Sequence, residues 1–339
     1  MGITRDNPYS TAYDYYGDPS KLAEYRLFVL NECSMDCKGC FYTKNKNDFN
    51  NFDGALNLAK DLVSNGYRME TCYLLPTDMF DNTDNYKLFN NKSFKDIIGL
   101  FNFVGIATTL EHGYDEKFFD ILYDLYPQHT VEIQVNLSIK RLFDINYQGL
   151  IRNNITKLKA QYGERVVINL AINIGFKIAD EELAVLKDMM MELSEDGIIE
   201  LNFTFLYNDD ISFDNKKKML KQSMSTLTYF KDQYKSHNSY TQEFNKRSLL
   251  TKPSFVFAHD DIYCNPIVPF DEYVYVKDDV FKLEGSTYDD FITCYCNASV
   301  INSIIDKTCE TCENLEYCMA KYYFAIAKKF DLGCFMNKF

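Results

Sequence analysis

Two periods of hydrophobicity alternate along this chain. Apolar positions spaced three and four apart predict helices over residues 55–64, 94–101, 117–125, 150–162 and 180–193. Between them, short β-branched runs predict strands over 27–30, 71–75, 103–108, 131–137, 166–174 and 199–206. These runs read as almost wholly apolar, as strands do when both faces are covered. Strands alternating with helices imply a parallel sheet with right-handed crossovers. Six β/α repeats fall short of the eight of a complete barrel, and a doubly wound open sheet is the alternative. In either architecture ligands collect at the carboxyl ends of the strands, where the variable loops converge. Residues 211–250 carry no strand signal and read as charged amphipathic helices bridging two domains. A hairpin is expected from strands 273–276 and 280–283.

The chain has 339 residues, 46% of them apolar and 25% charged, which is the composition of a globular protein. Its net charge of -13 repels a phosphate backbone at long range and argues against nucleic acid as the main partner. No apolar run reaches membrane-spanning length, and the first twenty residues lack a signal-peptide pattern, so no membrane partner is expected. The start "MGITRD" has Asp6 where a myristoylation motif needs Ser or Thr.

Eleven cysteines are unevenly placed: three between residues 33 and 40, seven after residue 263, and Cys72 alone between them. Clustered thiols in a long chain without a signal peptide read as metal ligands in a reducing, cytoplasmic setting. Cys33, Cys37 and Cys40 follow the first strand at C-x3-C-x2-C spacing. Three thiols in one loop can hold three corners of a [4Fe-4S] cluster and leave the fourth iron open. A zinc knuckle lacking its fourth ligand is the competing reading, although zinc sites favour paired elements that supply four ligands.

The triplet and its flanks, "NECSMDCKGCFY", resemble the radical S-adenosylmethionine (radical SAM) superfamily. The resemblance implies a partial (β/α)6 TIM-like barrel over residues 25–210, preceded by an arm at 1–24. It also implies that S-adenosyl-L-methionine chelates the open iron and is cleaved to a 5′-deoxyadenosyl radical, the cofactor carrying the hard chemistry. The family has an aromatic residue immediately before the third cysteine, where this chain has Gly39; Phe41 or Tyr42 is expected in that role. Where the family carries Gly-Gly-Glu-Pro after strand two, this chain reads Leu75-Pro76-Thr77-Asp78-Met79. Asp78 can accept from an ammonium and Thr77 offers a hydroxyl, yet both types also favour caps and turns. After strand four, Asn136, Ser138 and Arg141 match the ribose and carboxylate positions, Arg141 through its planar fork. A solvated helix charge is the other reading of Arg141. Asn173, near the end of strand five, is a further ribose candidate. The four histidines share no ligand spacing and read as ordinary surface or core residues.

The tail reads Cys309-x2-Cys312-x5-Cys318-x15-Cys334, preceded by Cys264, Cys294 and Cys296. Alone, this could be a zinc ribbon. Beside the first triplet it resembles the SPASM and twitch extensions, which hold auxiliary [4Fe-4S] clusters, and it implies a small Cys-rich domain over 251–339. Cys309, Cys312, Cys318 and Cys334 would ligate one cluster. A complete module has further cysteines where this chain has Leu283 and Tyr322; Cys264, Cys294 and Cys296 either rebuild a second, open site or are free thiols. Asp260 and Asp261, beside Cys264, read as an exposed turn in preference to an acid or base.

The resemblance implies an enzyme that modifies a ribosomally made peptide or protein side chain by cross-linking, oxidation or excision. A reductant such as flavodoxin or ferredoxin would serve as its partner. Only about 25 residues precede strand one, too few for a leader-binding domain, so the peptide reading calls for a separate recognition protein or for direct recognition by the barrel. The alternatives are a radical SAM enzyme acting on a sugar, amino acid or antibiotic precursor, and a non-catalytic metal protein.

Overall fold

The computed structural model describes residues 22–30, 33–34, 49–75, 77–82, 84–137, 141, 143–173, 180–195, 199–204, 254–258, 260–265 and 282–293; for 171–173, 199–204, 264–265 and part of 180–195, it describes the backbone alone. Strands β1 (Leu22–Phe28), β2 (Arg68–Leu75), β3 (Phe103–Thr108), β4 (Thr130–Asn136), β5 (Val166–Asn173) and β6 (Ile199–Thr204) alternate with helices. The helices are α1 (Phe52–Ser64), α2 (Lys92–Ile98), α3 (Glu116–Leu125), α4 (Ile145–Tyr162) and α5 (Asp180–Glu195). Two further strands, β7 (Ser254–Ala258) and β8 (Asp261–Asn265), complete one sheet in the order β6-β5-β4-β3-β2-β1-β7-β8. β1 to β7 are parallel, and β8 returns antiparallel on β7.

Seven parallel strands therefore stand where the periodicity predicts six. The seventh, Ser-Phe-Val-Phe-Ala, comes from the cysteine-rich tail and joins β1 directly. β1 thus has partners on both sides, which suits a strand that carries a cysteine loop. It also starts five residues earlier than its apolar stretch suggests, because Glu24 and Arg26 interrupt the pattern and yet are buried.

Local chemistry fixes the helix starts. Asn51, Asn91, Asp115 and Asp144 each accept a hydrogen bond from a backbone N–H in the first turn of the helix that follows. Such caps contribute about 1 kcal/mol each. Asp144 extends α4 five residues before the predicted start, leaving Ile145 81% exposed.

The core lies between the sheet and these helices. Tyr25, Leu27, Cys72, Leu74, Val104, Ile106, Val131, Ile133 and Ile168 have no exposed surface or nearly none. Tyr25 packs on Phe101, Phe255 and Phe257 with ring centres 5.1, 5.7 and 4.4 Å away, and its hydroxyl donates to Ala55 O at 3.0 Å. The phenol is thus buried with its polar end satisfied, which avoids the cost of an orphaned donor. Burial pushes the Cys72 thiol well above its usual range, so it stays protonated, a core side chain unsuited to metal. Among the described residues no helix is long and apolar enough to cross a membrane.

Candidate functional site

The carboxyl ends of β1 to β4 bring most of the described candidates together. Cys33 lies just past β1 and is partly exposed with its thiol unpaired, as a ligand must be. The next residue, Ser34, is gripped by Asp81 from the loop after β2: its backbone N–H donates to Oδ2, and its hydroxyl donates to Oδ1 at 2.6 Å. Asp81 also faces His112 Nε2 at 3.5 Å, in the loop after β3. One carboxylate therefore joins three loops beside a candidate ligand. Pairing Ser34 with Asp81 takes a contact between residues 47 apart, which no local pattern announces.

Thr77 and Asp78 part company. Asp78 Oδ2 accepts from Thr109 N at 2.6 Å and Thr109 Oγ1 at 3.0 Å, while Oδ1 accepts from Phe80 N at 3.0 Å. The carboxylate so braces the loops after β2 and β3. Thr77 Oγ1 is buried with no partner among the described residues, which leaves its hydroxyl available to a bound group.

The loop after β3 is held in a strained form. Leu110 sits at φ 56, outside the usual range for a side chain of its size. Thr108 Oγ1 accepts from Leu110 N at 2.9 Å, and buried Asn154 donates to Leu110 O at 2.7 Å. Such a conformation persists only where surrounding contacts over-determine it, and these do. The loop then presents Glu111, which is ion-paired with Arg141. The Arg141 guanidinium also lies 4.6 Å from the ring centre of Tyr147. In this arrangement its charge is spent on Glu111 and Tyr147 and joins the loops after β3 and β4. Glu111 Oε1 is buried without a partner among the described residues.

Asn136 ends β4 half-buried and accepts from Gln134 Nε2 at 3.1 Å. Asn173 ends β5 in register with Thr204. Cys264 lies in β8, its backbone in register with Phe255. Asp260 turns β7 into β8 at φ 66, exposed, and accepts from Asn50 N at 3.0 Å. His129 is a core residue whose Nε2 lies 3.0 Å from Ile98 O, and burial lowers its pKa. Cys37, Cys40, Phe41, Tyr42, Ser138, Cys294, Cys296, Cys309, Cys312, Cys318 and Cys334 lie outside the described residues.

Two further groups sit inside the sheet. Tyr73 donates to Glu132 Oε2 at 3.2 Å, and burial together with the nearby Glu24 pushes the Glu132 carboxyl up to about 7, against the lowering effect of the tyrosine hydrogen bond.

No protein-family model matches the chain, and no curated protein matches it. Among solved structures it is similar to Streptococcus suis SuiB bound to S-adenosylmethionine, at 13% identity and a TM-score of 0.53, covering 97% of this chain and 79% of that one. A second SuiB structure aligns at 12% identity and 0.45, over 84% of this chain and 73% of that one. A psychrophilic glycoside hydrolase family 10 endo-beta-1,4-xylanase aligns at 11% and 0.34, over 67% and 85%. The first similarity is one of fold; the other two carry no argument.

Proposed function

We propose that the chain is a radical SAM enzyme that modifies a side chain of a ribosomally made peptide. The observation that carries the reading is the placement of Cys33: a partly exposed, unpaired thiol at the carboxyl end of a parallel strand, in a fold shared with a protein solved with S-adenosylmethionine. The donor set fits a cluster, since a thiolate is the ligand such iron takes and the triplet spacing supplies three. Cys33, Cys37 and Cys40 would hold the [4Fe-4S] cluster. Thr77 and Asn136 would be the candidates for S-adenosyl-L-methionine, Arg141 being held by Glu111 and Tyr147.

When bound, the pair would supply reductive cleavage of the sulfonium and abstraction of a substrate hydrogen. The chain's own part is positioning. Asp81 holds Ser34 and with it the start of the cysteine loop, while Asp78, Thr108 and Asn154 hold the neighbouring loop in one conformation. Pre-arranged loops of this kind lower the ordering that binding would otherwise require. Auxiliary clusters on the tail cysteines and an electron donor such as flavodoxin or ferredoxin belong to the same proposal.

The test is anaerobic reconstitution with iron and sulfide, reduction with dithionite, and assay for 5′-deoxyadenosine. Wild-type protein is expected to form it, and Cys33→Ala to form none while keeping the fold by circular dichroism. Full cluster loading without any 5′-deoxyadenosine would sink the reading. Activity on an isolated amino acid but not on peptides would move the assignment to small-molecule chemistry.

A further inference from the structure

The inner face of the sheet, opposite the helices, divides in two. Over β1, β2 and β7 it carries an apolar cluster of Phe28, Val256, Ala258 and Tyr263, with Leu75 packed against it. Over β3, β4 and β5 it carries Ala107, Gln134, Asn136 and Val167, all half-buried. The helix-facing residues between them, Val131, Ile133, Val135, Ile168 and Leu170, have no exposed surface. Solvent thus reaches one face of strands whose other face is fully packed, and the sheet walls a cleft.

Carboxamides gather on that wall. Register sets Gln134 of β4 between Ala107 of β3 and Asn169 of β5, with Asn136 one step nearer the carboxyl ends beside Ala171. Gln134 Nε2 donates to Asn136 Oδ1 at 3.1 Å, so these two amides engage each other. Asn169 differs from both. It is 6% exposed, and its Oδ1 is buried with no hydrogen-bond partner among the described residues. Asparagine is depleted in strands, and here it stands between Ile168 and Leu170 in the middle of one. A buried amide oxygen left unpaired bears its full desolvation penalty. Such atoms are normally satisfied, so this one implies a group that the described chain does not provide.

The amide selects what that group is. A carboxamide holds one acceptor oxygen and two N–H donors, so a ligand that answers it presents a donor and an acceptor side by side. A second carboxamide does this through a reciprocal pair of N–H···O bonds, and the pair is the same whichever way round the Asn169 amide is turned. A carboxylate brings no donor, and Glu132, two residues before Gln134 on the same face, disfavours it further. β6 sets another acid, Glu200, in register with Asn169. An ammonium brings donors but no acceptor. Asn169 lies two residues below the level of Asn136, a depth of about 7 Å, which a side chain reaching in from the carboxyl ends can span.

We infer that Asn169 is the floor of a subsite for a primary carboxamide of the substrate, which enters from the carboxyl ends of β4 and β5 and pairs with the Asn169 amide. An Asn or Gln side chain of a peptide and a free amide bring the same group. The catalytic use of such a subsite rests on the enzyme reading above. Binding itself needs neither cluster nor S-adenosylmethionine.

The experiment uses the full chain, as purified and without reductant. One arm selects from a displayed library of random decapeptides. The other follows the side-chain amide signals of protein carrying isotope-labelled asparagine during titration with propionamide, the Asn169 signal being identified by its loss in Asn169→Leu. Wild-type protein is expected to enrich Asn or Gln at one position. Asn169→Leu, which removes the unpaired atoms at similar volume, is expected to cut that enrichment roughly tenfold. The Asn169 signal is expected to move saturably with propionamide and to stay in place with sodium propionate. Such a movement without an Asn or Gln preference in the library supports the subsite and places the carboxamide on a small molecule. If Asn169→Leu fails to fold by circular dichroism, Asn169→Asp, which loses the amide at the same shape, serves both purposes. No response to either probe, an equal response to propionate, a preference for acidic or basic residues, or a preference indifferent to the substitution overturns the proposal. An Asn169 signal moved by S-adenosylmethionine as it is by propionamide would give the position to the cofactor, and overturns it as well. Since 5′-deoxyadenosine is not read, either proposal can fail while the other stands.

Discussion

On its helix-facing side the sheet carries Tyr25, Leu27, Cys72, Leu74, Val131 and Ile133, all without exposed surface; on its inner side the same strands carry Glu24, Arg26, Tyr73, Glu132 and Gln134. Successive residues of one strand therefore serve two ends. The first side gains from removing apolar area from water, about 25 cal/mol per Å². The second keeps titratable groups largely out of water, where they interact more strongly than in solvent and weigh against stability. The comparison teaches that the main core lies on the helix side, while the inner face sets buried charged groups beside a smaller apolar cluster of Phe28, Val256, Ala258 and Tyr263.

The largest expected effect comes from breaking the packed side. Phe257→Ala removes a fully buried ring from the Tyr25 and Phe49 cluster and should cost about 3–5 kcal/mol, measured by urea unfolding. A loss under about 1 kcal/mol would show that this side is not the source of stability.

Next is Glu132→Gln. Burial raises this carboxyl from 4.5 to about 7, so the charged form disfavours the fold. The penalty is absent below the unfolded pKa, grows between the two values and is complete above pH 7. The amide should therefore stabilise by up to about 3 kcal/mol at pH 8 and leave stability near pH 4 unchanged. Equal effects at the two pH values would contradict the assignment.

Gly105→Ala should follow at about 1–3 kcal/mol, because the new methyl displaces the Tyr73 ring. It should also widen the apparent pKa gap that Glu132→Gln reports, because displacing the ring takes away the tyrosine hydrogen bond that lowers this carboxyl, a coupling that a double-mutant cycle reads directly. The smallest effect is expected of Gln134→Ala, half-exposed on the cleft wall: within about 0.5 kcal/mol in unfolding.

The strands β3 and β4 were legible in the sequence almost residue for residue, since their helix-facing positions are all β-branched or apolar. β1 was not, because Glu24 and Arg26 look like the end of a strand until the cleft that receives them is known. The reading of the strands as almost wholly apolar fails for the same reason: Val131-Glu132-Ile133-Gln134-Val135 alternates strictly, and that alternation was the available sign of a face that carries polar groups. β7 lay hidden in a tail read for its cysteines. Cys33 is legible by spacing as a candidate ligand, whereas Asp81, Glu111 and Glu132 acquire meaning only from partners brought in by the fold. Asp78, chosen by position in a motif, also accepts from Thr109 and Phe80, contacts that no spacing announces.

The pairing of β1 with β7 has a consequence for synthesis on the ribosome. Asn50 and Asp260, which tie the region after β1 to the β7–β8 turn, are 210 residues apart. A nascent chain thus exposes one edge of β1 until nearly the whole sheet has been translated, and contacts of such long separation close slowly. A group bound in the loop after β1 before that closure would meet an unfinished scaffold, because the strand order leaves β1 paired on one side only until β7 is made.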